Sequence, residues 1–386
     1  MRKPFTFCLP PRIEFGEGIL ANLPSLIRDT VNGRRVFVVT DPGVENAGII
    51  GPVMEDMRNA GYELQVFAGV KPNPRDVDCE EGGRAIREFK ADMILAVGGG
   101  SVIDSAKAIA VLQTNDGSLR QYEGRDKFPN DVSPIVAVPT TAGTGSEVTR
   151  SAVITDTSRR FKMTVKGLRL APRLAVVDPA TTYSLPRGLT ASTGMDAFVH
   201  AIESFTCRVS NPFSEAWAAE AMRYIFANLR DAVHEGTRDS REAMMLGSVM
   251  AGIAFSHSDV AAVHCMAEAL GGLYDTPHGV ANSMFLPVVT GFNAEADPGV
   301  HARAAAVCGL PVEGMSRREA AGLLVRELAR LSEDIGIPKF SEQPGVEPAD
   351  FERLAEASFI NGSTPSNCRQ VTRDDYLALF RKAYEA

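Results

Sequence analysis

The sequence predicts an α/β domain followed by an all-helical domain. Three observations predict this fold class: apolar runs alternate with helical periodicity in the first half, helical periodicity alone fills the second half, and the length suits two or three domains. The chain has 386 residues, of which 45% are hydrophobic and 23% are charged, as is usual for a soluble globular protein. We place the boundary near residue 186, which gives domains of residues 1–186 and 187–386.

The apolar runs of the first half are typical of strands buried on both faces of a parallel sheet. They are rich in β-branched residues, and Gly, Pro or Asp follows most of them. The predicted strands are Val36–Thr40, Leu64–Phe67, Met93–Val97 and Ile135–Val138. The predicted helices between and after them are Val53–Ala60, Cys79–Lys90 and Val102–Gln113. Such alternation indicates a doubly wound α/β domain.

The pattern changes at the turn-rich segment Asp178–Gly188. Beyond this segment helical periodicity dominates, and it predicts an all-helical second domain. The predicted helices are Ala191–Cys207, Pro212–Val233, Arg241–Ala254, Val260–Leu273, Ala302–Val307, Arg317–Glu333 and Arg373–Ala386.

Composition excludes several classes of protein. The formal net charge of −8 argues against a globally basic nucleic-acid binder. No apolar run approaches the roughly 20 residues of a membrane-spanning helix, so neither nucleic acid nor membrane is an expected partner. The six cysteines form no CxxC pair, and the N-terminus lacks the features of a signal peptide. We therefore expect a cytoplasmic protein.

A glycine-rich turn joins the third predicted strand to a helix. Gly98, Gly99, Gly100 and Ser101 form this turn, and Asp104 lies in the first turns of the helix. Glycine lets the backbone approach a ligand, and a helix N-terminus offers N–H groups to a phosphate or pyrophosphate. The motif is neither GxGxxG nor a P-loop. The alternative is a tight strand-to-helix turn without a ligand.

Two further segments favour a nucleotide. The loop after the fourth predicted strand contains Thr140, Thr141 and Thr144, whose hydroxyl groups suit phosphate or ribose. Asp41 ends the first predicted strand, where a carboxylate can accept hydrogen bonds from adenosine ribose. A carboxylate there repels a 2′-phosphate, which favours NAD over NADP. The alternative for Asp41 is a helix cap.

A metal site is predicted from the distribution of histidine, of which the chain has only six. Asp196 and His200 are four residues apart, so they share one face of a helix. His264 begins another helix, and His278 is expected in a turn. One carboxylate and three imidazoles suit iron(II) or zinc, and such a centre is a Lewis acid. The alternatives are a surface ion pair for the first two residues and core or turn histidines for the others.

Together these segments resemble the iron-dependent (group III) alcohol dehydrogenase family, from about residue 12 to the C-terminus. The matching motifs are EFGEG at 14–18, VVTDPG at 38–43, KPNP at 71–74, GGGSVIDSAK at 98–107, VPTTAGTGSEVT at 138–149, GMDAFVHAIE at 194–203 and GGLYDTPHGVAN at 271–282. The resemblance implies the dehydroquinate synthase-like fold of this family: a dinucleotide-binding α/β domain, an all-α metal-binding domain and a catalytic cleft between them. It also implies a homodimer or higher homo-oligomer.

The resemblance implies roles for individual residues. The implied metal ligands are Asp196, His200, His264 and His278, of which the last two are also counted as catalytic. The GGGS turn is the implied pyrophosphate grip, and the other implied cofactor-facing residues are Asp41, Asn73, Thr140, Thr141, Thr144 and Lys162. Lys166 competes with Lys162 for the lysine position.

The expected function is hydride transfer between a small alcohol or aldehyde and NAD(H), with a divalent metal, Fe²⁺ before Zn²⁺, polarising the carbonyl. Many relatives carry a second histidine where this chain has Glu268, and the proton is expected to leave through His257 or Glu268. With Asp259, these residues predict a polar or charged small substrate, unless Asp259 merely caps the helix of His264.

Two other functions are weighed against this one. A sugar-phosphate cyclase of the same superfamily architecture uses NAD transiently, but it needs a basic cluster that the helical half lacks beside the metal histidines. A non-catalytic scaffold built on a dead enzyme is disfavoured by the intact ligand set and the intact glycine turn.

Overall fold

The computed structural model describes residues 4–386, which form two compact units. The α/β unit contains Leu9–Thr141 and Gly145–Ser184. The helical unit contains Leu185–Ala386, residues 4–8, and Ala142–Thr144. The architecture therefore changes beside the expected residue 186, but two short pieces of the first half belong to the helical unit. Periodicity cannot assign such pieces, because they are too short to have a period.

The α/β unit is built on a six-stranded parallel sheet and a smaller three-stranded sheet. The strands are β1 (Arg12–Phe15), β2 (Arg35–Val39), β3 (Glu63–Phe67), β4 (Met93–Gly98), β5 (Gly124–Arg125), β6 (Ile135–Pro139), β7 (Ser151–Asp156), β8 (Phe161–Lys166) and β9 (Leu174–Val177). The order of the large sheet is β1-β9-β6-β4-β2-β3, and β5-β8-β7 form the small one. The four predicted strands are β2, β3, β4 and β6.

Helices cover the large sheet and make up the helical unit. Those of the α/β unit are α1 (Leu23–Thr30), α2 (Pro42–Asn46), α3 (Ile50–Asn59), α4 (Asp76–Phe89) and α5 (Gly100–Thr114). Those of the helical unit are α6 (Arg187–Thr206), α7 (Pro212–His234), α8 (Arg238–Ser256), α9 (Ala262–Tyr274), α10 (His278–Ala296), α11 (Pro298–Val307), α12 (Arg317–Asp334), α13 (Phe351–Phe359) and α14 (Arg373–Glu385). Among residues 4–386, no helix combines the length and apolarity needed to cross a membrane.

The central strands β2, β4, β6 and β9 of the large sheet are buried on both faces, as the continuous apolar runs predict for β2, β4 and β6, whereas the edge strands β1 and β3 are partly exposed. Alternate residues of β2 belong to different apolar clusters: Val36 and Val38 pack with α1 and α3, whereas Phe37 and Val39 pack with α4 and α5. Successive side chains of a strand point to opposite faces, so both sets must be apolar. The glycine turn therefore follows β4, a strand whose residues are all buried.

The prediction for His278 was wrong in one respect. This residue does not lie in a turn but begins α10, which follows Pro277. The sequence did not indicate this helix, because many of its own residues are apolar on every side of the helix and because Pro287 lies inside it. A proline inside a helix and apolar character on all sides both hide helical periodicity.

Candidate metal centre and cofactor site

Helix α6 places three ionisable side chains in the interior of the helical unit. Asp196, His200 and Glu203 follow one another at intervals of four and three residues, so they share one face of the helix. All three are buried, with relative exposures of 2%, 5% and 3%. Buried ionisable groups are stable only when they are paired, hydrogen-bonded or bound to metal. The ionisable side chains on this face of α6 therefore require hydrogen-bond donors, opposite charges or a metal ion beside them.

The partners come from α9 and α10. Asp196, His200, His264 and His278 each offer a ligand atom, and these atoms all lie within 4.8 Å of one another. The imidazole ring centroids of His200 and His264 are 4.5 Å apart, and those of His264 and His278 are 5.3 Å apart. The side chain of His278 is 28% exposed, whereas the other three are buried. The structure thus brings together all four predicted ligands and leaves one side of the group accessible.

Two ring nitrogens show that this group fits a metal ion. Nδ1 of His200 and Nε2 of His264 are buried and have no hydrogen-bond partner among the residues that the structure describes. A buried polar atom without a partner destabilises a fold by about 1–3 kcal/mol. Coordination of an ion removes this penalty, and a set of three imidazoles and one carboxylate suits a divalent first-row metal.

The protonation of the centre also suits a metal. Burial lowers the pKa of His200 to about 3 and that of His264 to about 4. Burial alone would raise the pKa of Asp196, but the neighbouring histidines and a hydrogen bond from Asn282 hold it below its usual value. Neutral imidazole and ionised carboxylate are the forms that bind metal, so both kinds of ligand are ready at neutral pH.

Glu203 supports His264, and sequence reasoning did not assign it a role. Its Oε2 atom lies 2.6 Å from Nδ1 of His264 and accepts a hydrogen bond from the N–H of Ala261 at 2.8 Å. Its Oε1 atom accepts from the N–H of Val263 at 2.7 Å. Burial raises the pKa of Glu203 to about 7 despite these donors. Its position three residues after His200 was the available signal.

Asn282 supports the other two ligands and was also missed. Its Nδ2 atom donates a hydrogen bond to Oδ1 of Asp196 at 2.6 Å and lies 3.1 Å from Nε2 of His278. It follows His278 by four residues on α10, so the two share a helix face. That spacing inside the motif PHGVAN was the signal for it.

A glycine lets α10 approach α6 closely enough to complete the centre. A Cβ atom added to Gly279 would lie 2.4 Å from the backbone oxygen of Ser192 and 2.8 Å from its carbonyl carbon. Backbone atoms cannot move aside as a flexible side chain can. Gly279 therefore sets the distance between His278 and Asp196.

The structure corrects one expectation near α9. Asp259 does not cap α9, because Glu203 binds the N–H groups at its start; Asp259 instead accepts hydrogen bonds from Ser363 Oγ at 3.1 Å and Ser366 Oγ at 2.7 Å. The role of His257 in a proton relay stays a prediction; its Nδ1 and Nε2 atoms each lie 2.7 Å from a backbone oxygen, of Ile253 and Cys8 respectively. Both ring nitrogens are therefore engaged.

Glu268 remains the half-buried carboxylate one helical turn after His264 on α9. Its Oε2 atom accepts a hydrogen bond from Nδ2 of Asn361 at 2.6 Å.

The glycine turn has the geometry of an anion site in the α/β unit. Helix α5 begins at Gly100, and its first backbone bonds run from Val102 and Ile103 to the oxygen of Gly99. The N–H groups of Gly100 and Ser101 precede these bonds and point from the helix N-terminus. A Cβ atom on Gly98 would lie 2.5 Å from the side chain of Val102, so the turn requires glycine there.

Of the other predicted cofactor residues, Thr140 and Thr141 lie beside this turn, and Asn73 and Lys162 pair with each other. A Cβ atom added to Gly99 would lie 3.2 Å from the side chain of Thr141, and the N–H of Thr140 donates to the oxygen of Gly98 at 3.1 Å. Nζ of Lys162 donates to Oδ1 of Asn73 at 2.8 Å, and both side chains are buried.

Two of the predicted cofactor residues form hydrogen bonds within the protein, and a third, Thr144, lies outside the α/β unit. Asp41 caps α2 by accepting from the N–H of Val44 at 3.0 Å, through Oδ1. The two oxygens of Asp104 accept from Ser146 Oγ at 2.5 Å and from the N–H of Val153 at 2.9 Å, so Asp104 anchors the loop after β6, and its cofactor role stays a prediction. Thr144 belongs to the helical unit.

A buried carboxylate–imidazole group that could hold a metal ion and a glycine turn at a strand–helix junction are the features expected of a metal-dependent dehydrogenase. Comparison with known proteins agrees. The family model described as iron-containing alcohol dehydrogenase matches residues 10–179, and its C-terminal counterpart matches residues 190–384. The chain belongs to the iron-containing alcohol dehydrogenase family and acts on CH–OH groups.

The chain is similar to individual members along its whole length. It is 40% identical to the 1,3-propanediol dehydrogenase of Klebsiella pneumoniae over 92% of both proteins. It is 35% identical to the NAD-dependent methanol dehydrogenase of Bacillus methanolicus, over 98% of this chain and 99% of that one. A crystal structure of a 1,3-propanediol oxidoreductase matches with a TM-score of 0.95 and 38% identity, over 99% of this chain and 100% of that one.

Proposed function

We propose that this alcohol dehydrogenase is iron-dependent, prefers NAD(H) to NADP(H), and interconverts a small polar alcohol and its aldehyde. The observation that carries the proposal is the convergence of Asp196, His200, His264 and His278, with unpartnered nitrogens in its interior. When bound, the ion supplies Lewis acidity towards a substrate oxygen, and the nicotinamide supplies or accepts the hydride. The remaining steps depend on side chains of this chain.

The residues around the centre keep its ligands in place. Glu203 accepts a hydrogen bond from the Nδ1–H of His264, which favours the tautomer whose Nε2 would be free to hold an ion. Phe255 stacks on the ring of His200 with centroids 4.3 Å apart and holds its orientation. Asn282 donates a hydrogen bond to Oδ1 of Asp196 and so holds the carboxylate that would bind the ion. Ligands held in this way need no reorganisation when the substrate binds.

In the α/β unit we assign the pyrophosphate to the N–H groups of Gly100 and Ser101. Oδ2 of Asp41 remains available to the adenosine ribose, because the cap uses Oδ1. The negative charge of Asp41 repels the 2′-phosphate of NADP, which supports the preference for NAD. Asn73 and Lys162 form one polar pair that we assign to the cofactor.

The assembly and compartment are part of the proposal. Strand β1 is the outermost strand of the large sheet and pairs on one side only, with β9, among the described residues. A free strand edge supports association of two copies into a homodimer or a higher homo-oligomer. All six cysteines are free thiols, which supports a reducing cytoplasm. Light scattering of the purified protein tests the assembly.

The sugar-phosphate cyclase is not favoured. The matched relatives are named as dehydrogenases or oxidoreductases, and their match covers nearly the whole chain. Accumulation of NADH in proportion to a simple alcohol consumed distinguishes the two reactions, since a cyclase restores its NAD in each turnover.

The test is metal analysis of anaerobically purified protein, followed by a screen of short alcohols with NAD and aldehydes with NADH. We expect about one iron per chain, and we expect H264A or H278A to lose both metal and turnover. The exposed His234 supplies the matched control, H234A, which should retain both. Full activity in a metal-free variant would refute the proposal.

A further inference from the structure

Glu268 lies on the same helix as His264, one of the four residues of the metal centre. Glu268 follows His264 by four residues on α9, so the two side chains share one face of that helix. The separation along the helix axis is about 6 Å. Nε2 of His264 is one of the two ring nitrogens of the metal centre that have no partner among the described residues. A short molecule held at that atom can therefore reach Glu268 with its far end.

A hydrogen bond to one oxygen holds the carboxylate of Glu268 in place, and its other oxygen has no such bond among the described residues. Oδ1 of Asn361 accepts a hydrogen bond from the N–H of Ser363 at 2.9 Å, which fixes the orientation of the amide. Nδ2 of the same amide then donates to Oε2 of Glu268 at 2.6 Å. Within residues 4–386, Glu268 has no lysine, arginine or histidine at ion-pair distance. Among the described residues, Oε1 therefore has neither a hydrogen-bond donor nor a cationic side chain beside it.

Carboxylates predominate among the charged groups that act on His264. Burial lowers the pKa of His264 and His278 acts in the same direction, whereas Asp196, Glu268 and Asp259 act in the opposite direction. The second carboxylate, Asp259, is bound by Ser363 and Ser366, which leaves Glu268 as the half-buried one with an unused oxygen.

We propose that Glu268 determines substrate specificity by binding a positively charged group, an amine or a quaternary ammonium. That group lies about two to four atoms from the reacting carbon, the length that the turn between His264 and Glu268 allows. This inference rests on the proposed function, because it places the reacting end of the substrate at the metal centre. Amino alcohols and amino aldehydes are the substrate class, and anionic aldehydes are repelled.

The experiment compares 3-amino-1-propanol with 1,3-propanediol, which has the same chain length and no charge. We expect kcat/KM of the metal-loaded wild-type enzyme to be at least about tenfold higher for the amine. E268Q should lose most of that ratio, and E268D, which keeps the charge, should recover it. E242Q removes an exposed carboxylate from α8 and is the matched control, for which the ratio should not change.

A binding measurement gives a readout that is independent of turnover. Calorimetry with propylammonium chloride, which has no hydroxyl group to oxidise, should show binding to the wild type and E242Q and at least about tenfold weaker binding to E268Q. Higher salt should weaken the binding as well. Far-UV circular dichroism and the melting temperature of each variant confirm that it is folded.

The outcomes separate this inference from the proposed function. Turnover of neither alcohol by metal-loaded wild type contradicts the proposed function itself. Turnover of the diol without preference for the amine overturns only the role of Glu268. A loss in E268Q that is equal for both alcohols also overturns it, because a proton-relay role reduces kcat without regard to substrate charge.

Discussion

Oε2 of Glu203 lies 2.6 Å from Nδ1 of His264, and the same carboxylate binds the backbone N–H groups of Ala261 and Val263. One side chain on α6 thus fixes both the start of α9 and the ring that α9 contributes to the metal centre. The position of the ligand and the position of its helix therefore depend on the same group.

Replacement of Glu203 by alanine should weaken metal binding by about 10- to 100-fold. The substitution frees the tautomer of His264 and leaves two N–H groups of α9 without an acceptor. E203Q keeps one oxygen acceptor and presents an N–H in place of the other, so we expect an intermediate loss. Competition with a chromogenic chelator measures the affinity. E242Q is the matched control, and an unchanged affinity in E203A contradicts the proposed support of His264.

Removal of the metal should reduce both stability and activity. An ion present at about 100 times its dissociation constant stabilises the folded state by about 2.7 kcal/mol. We therefore expect a chelator to lower the melting temperature and abolish turnover, and anaerobic Fe²⁺ to restore both. Zn²⁺ in place of Fe²⁺ should restore the melting temperature, and the activity with each ion reports which metal serves the reaction. A melting temperature that does not respond to the chelator counts against the assigned ligands.

The substitution G279A should separate α10 from α6. Its Cβ atom meets the backbone of Ser192 at 2.4 Å, so the two helices must move apart or strain. We expect a loss of about 1–3 kcal/mol in stability and weaker metal binding, because His278 and Asp196 lie on these helices. G188A, in the first turn of α6 where an added Cβ meets nothing within 4 Å, is the control. Equal metal affinity in both variants would show that the close approach is dispensable.

Substitution of Asp41 by asparagine should shift the cofactor preference. The amide oxygen of asparagine preserves the cap on α2, while the negative charge is lost. We expect the ratio of kcat/KM for NAD to that for NADP to fall by about tenfold, mainly through KM for NADP. D41A, which also removes the cap, distinguishes the effect of charge from that of helix stability. An unchanged ratio in D41N contradicts the ribose role of Asp41.

Much of this arrangement follows from local sequence. The strands β2, β4 and β6 were predicted because strands covered on both faces must be apolar throughout. The metal ligands were predicted from the scarcity of histidine and the spacing of Asp196 and His200, since a helix places such residues on one face. These inferences require only the geometry of a single element.

The remainder depends on contacts between elements. Glu203 belongs to a motif that was recognised, but its partners lie about 60 residues further along the chain, and no local rule connects them. The hairpin of β7 and β8 was missed although the apolar residues Phe161, Met163 and Val165 alternate with polar ones in β8, so the local signal for that strand was present. Asp259 resembles a helix cap in sequence, and only the fold shows that Glu203 already occupies that role.

The metal centre joins residues from three helices that the chain visits at widely separated points, around 196–200, 264 and 278. An ion bound there is a reversible cross-link: it closes the long segment that contains α7 and α8, and it limits the freedom of that segment when the unit opens. Iron supply would then govern how long each molecule survives as well as how fast it turns over. Starvation for the metal would expose the helical unit to proteases, so the amount of enzyme would follow the amount of its ion.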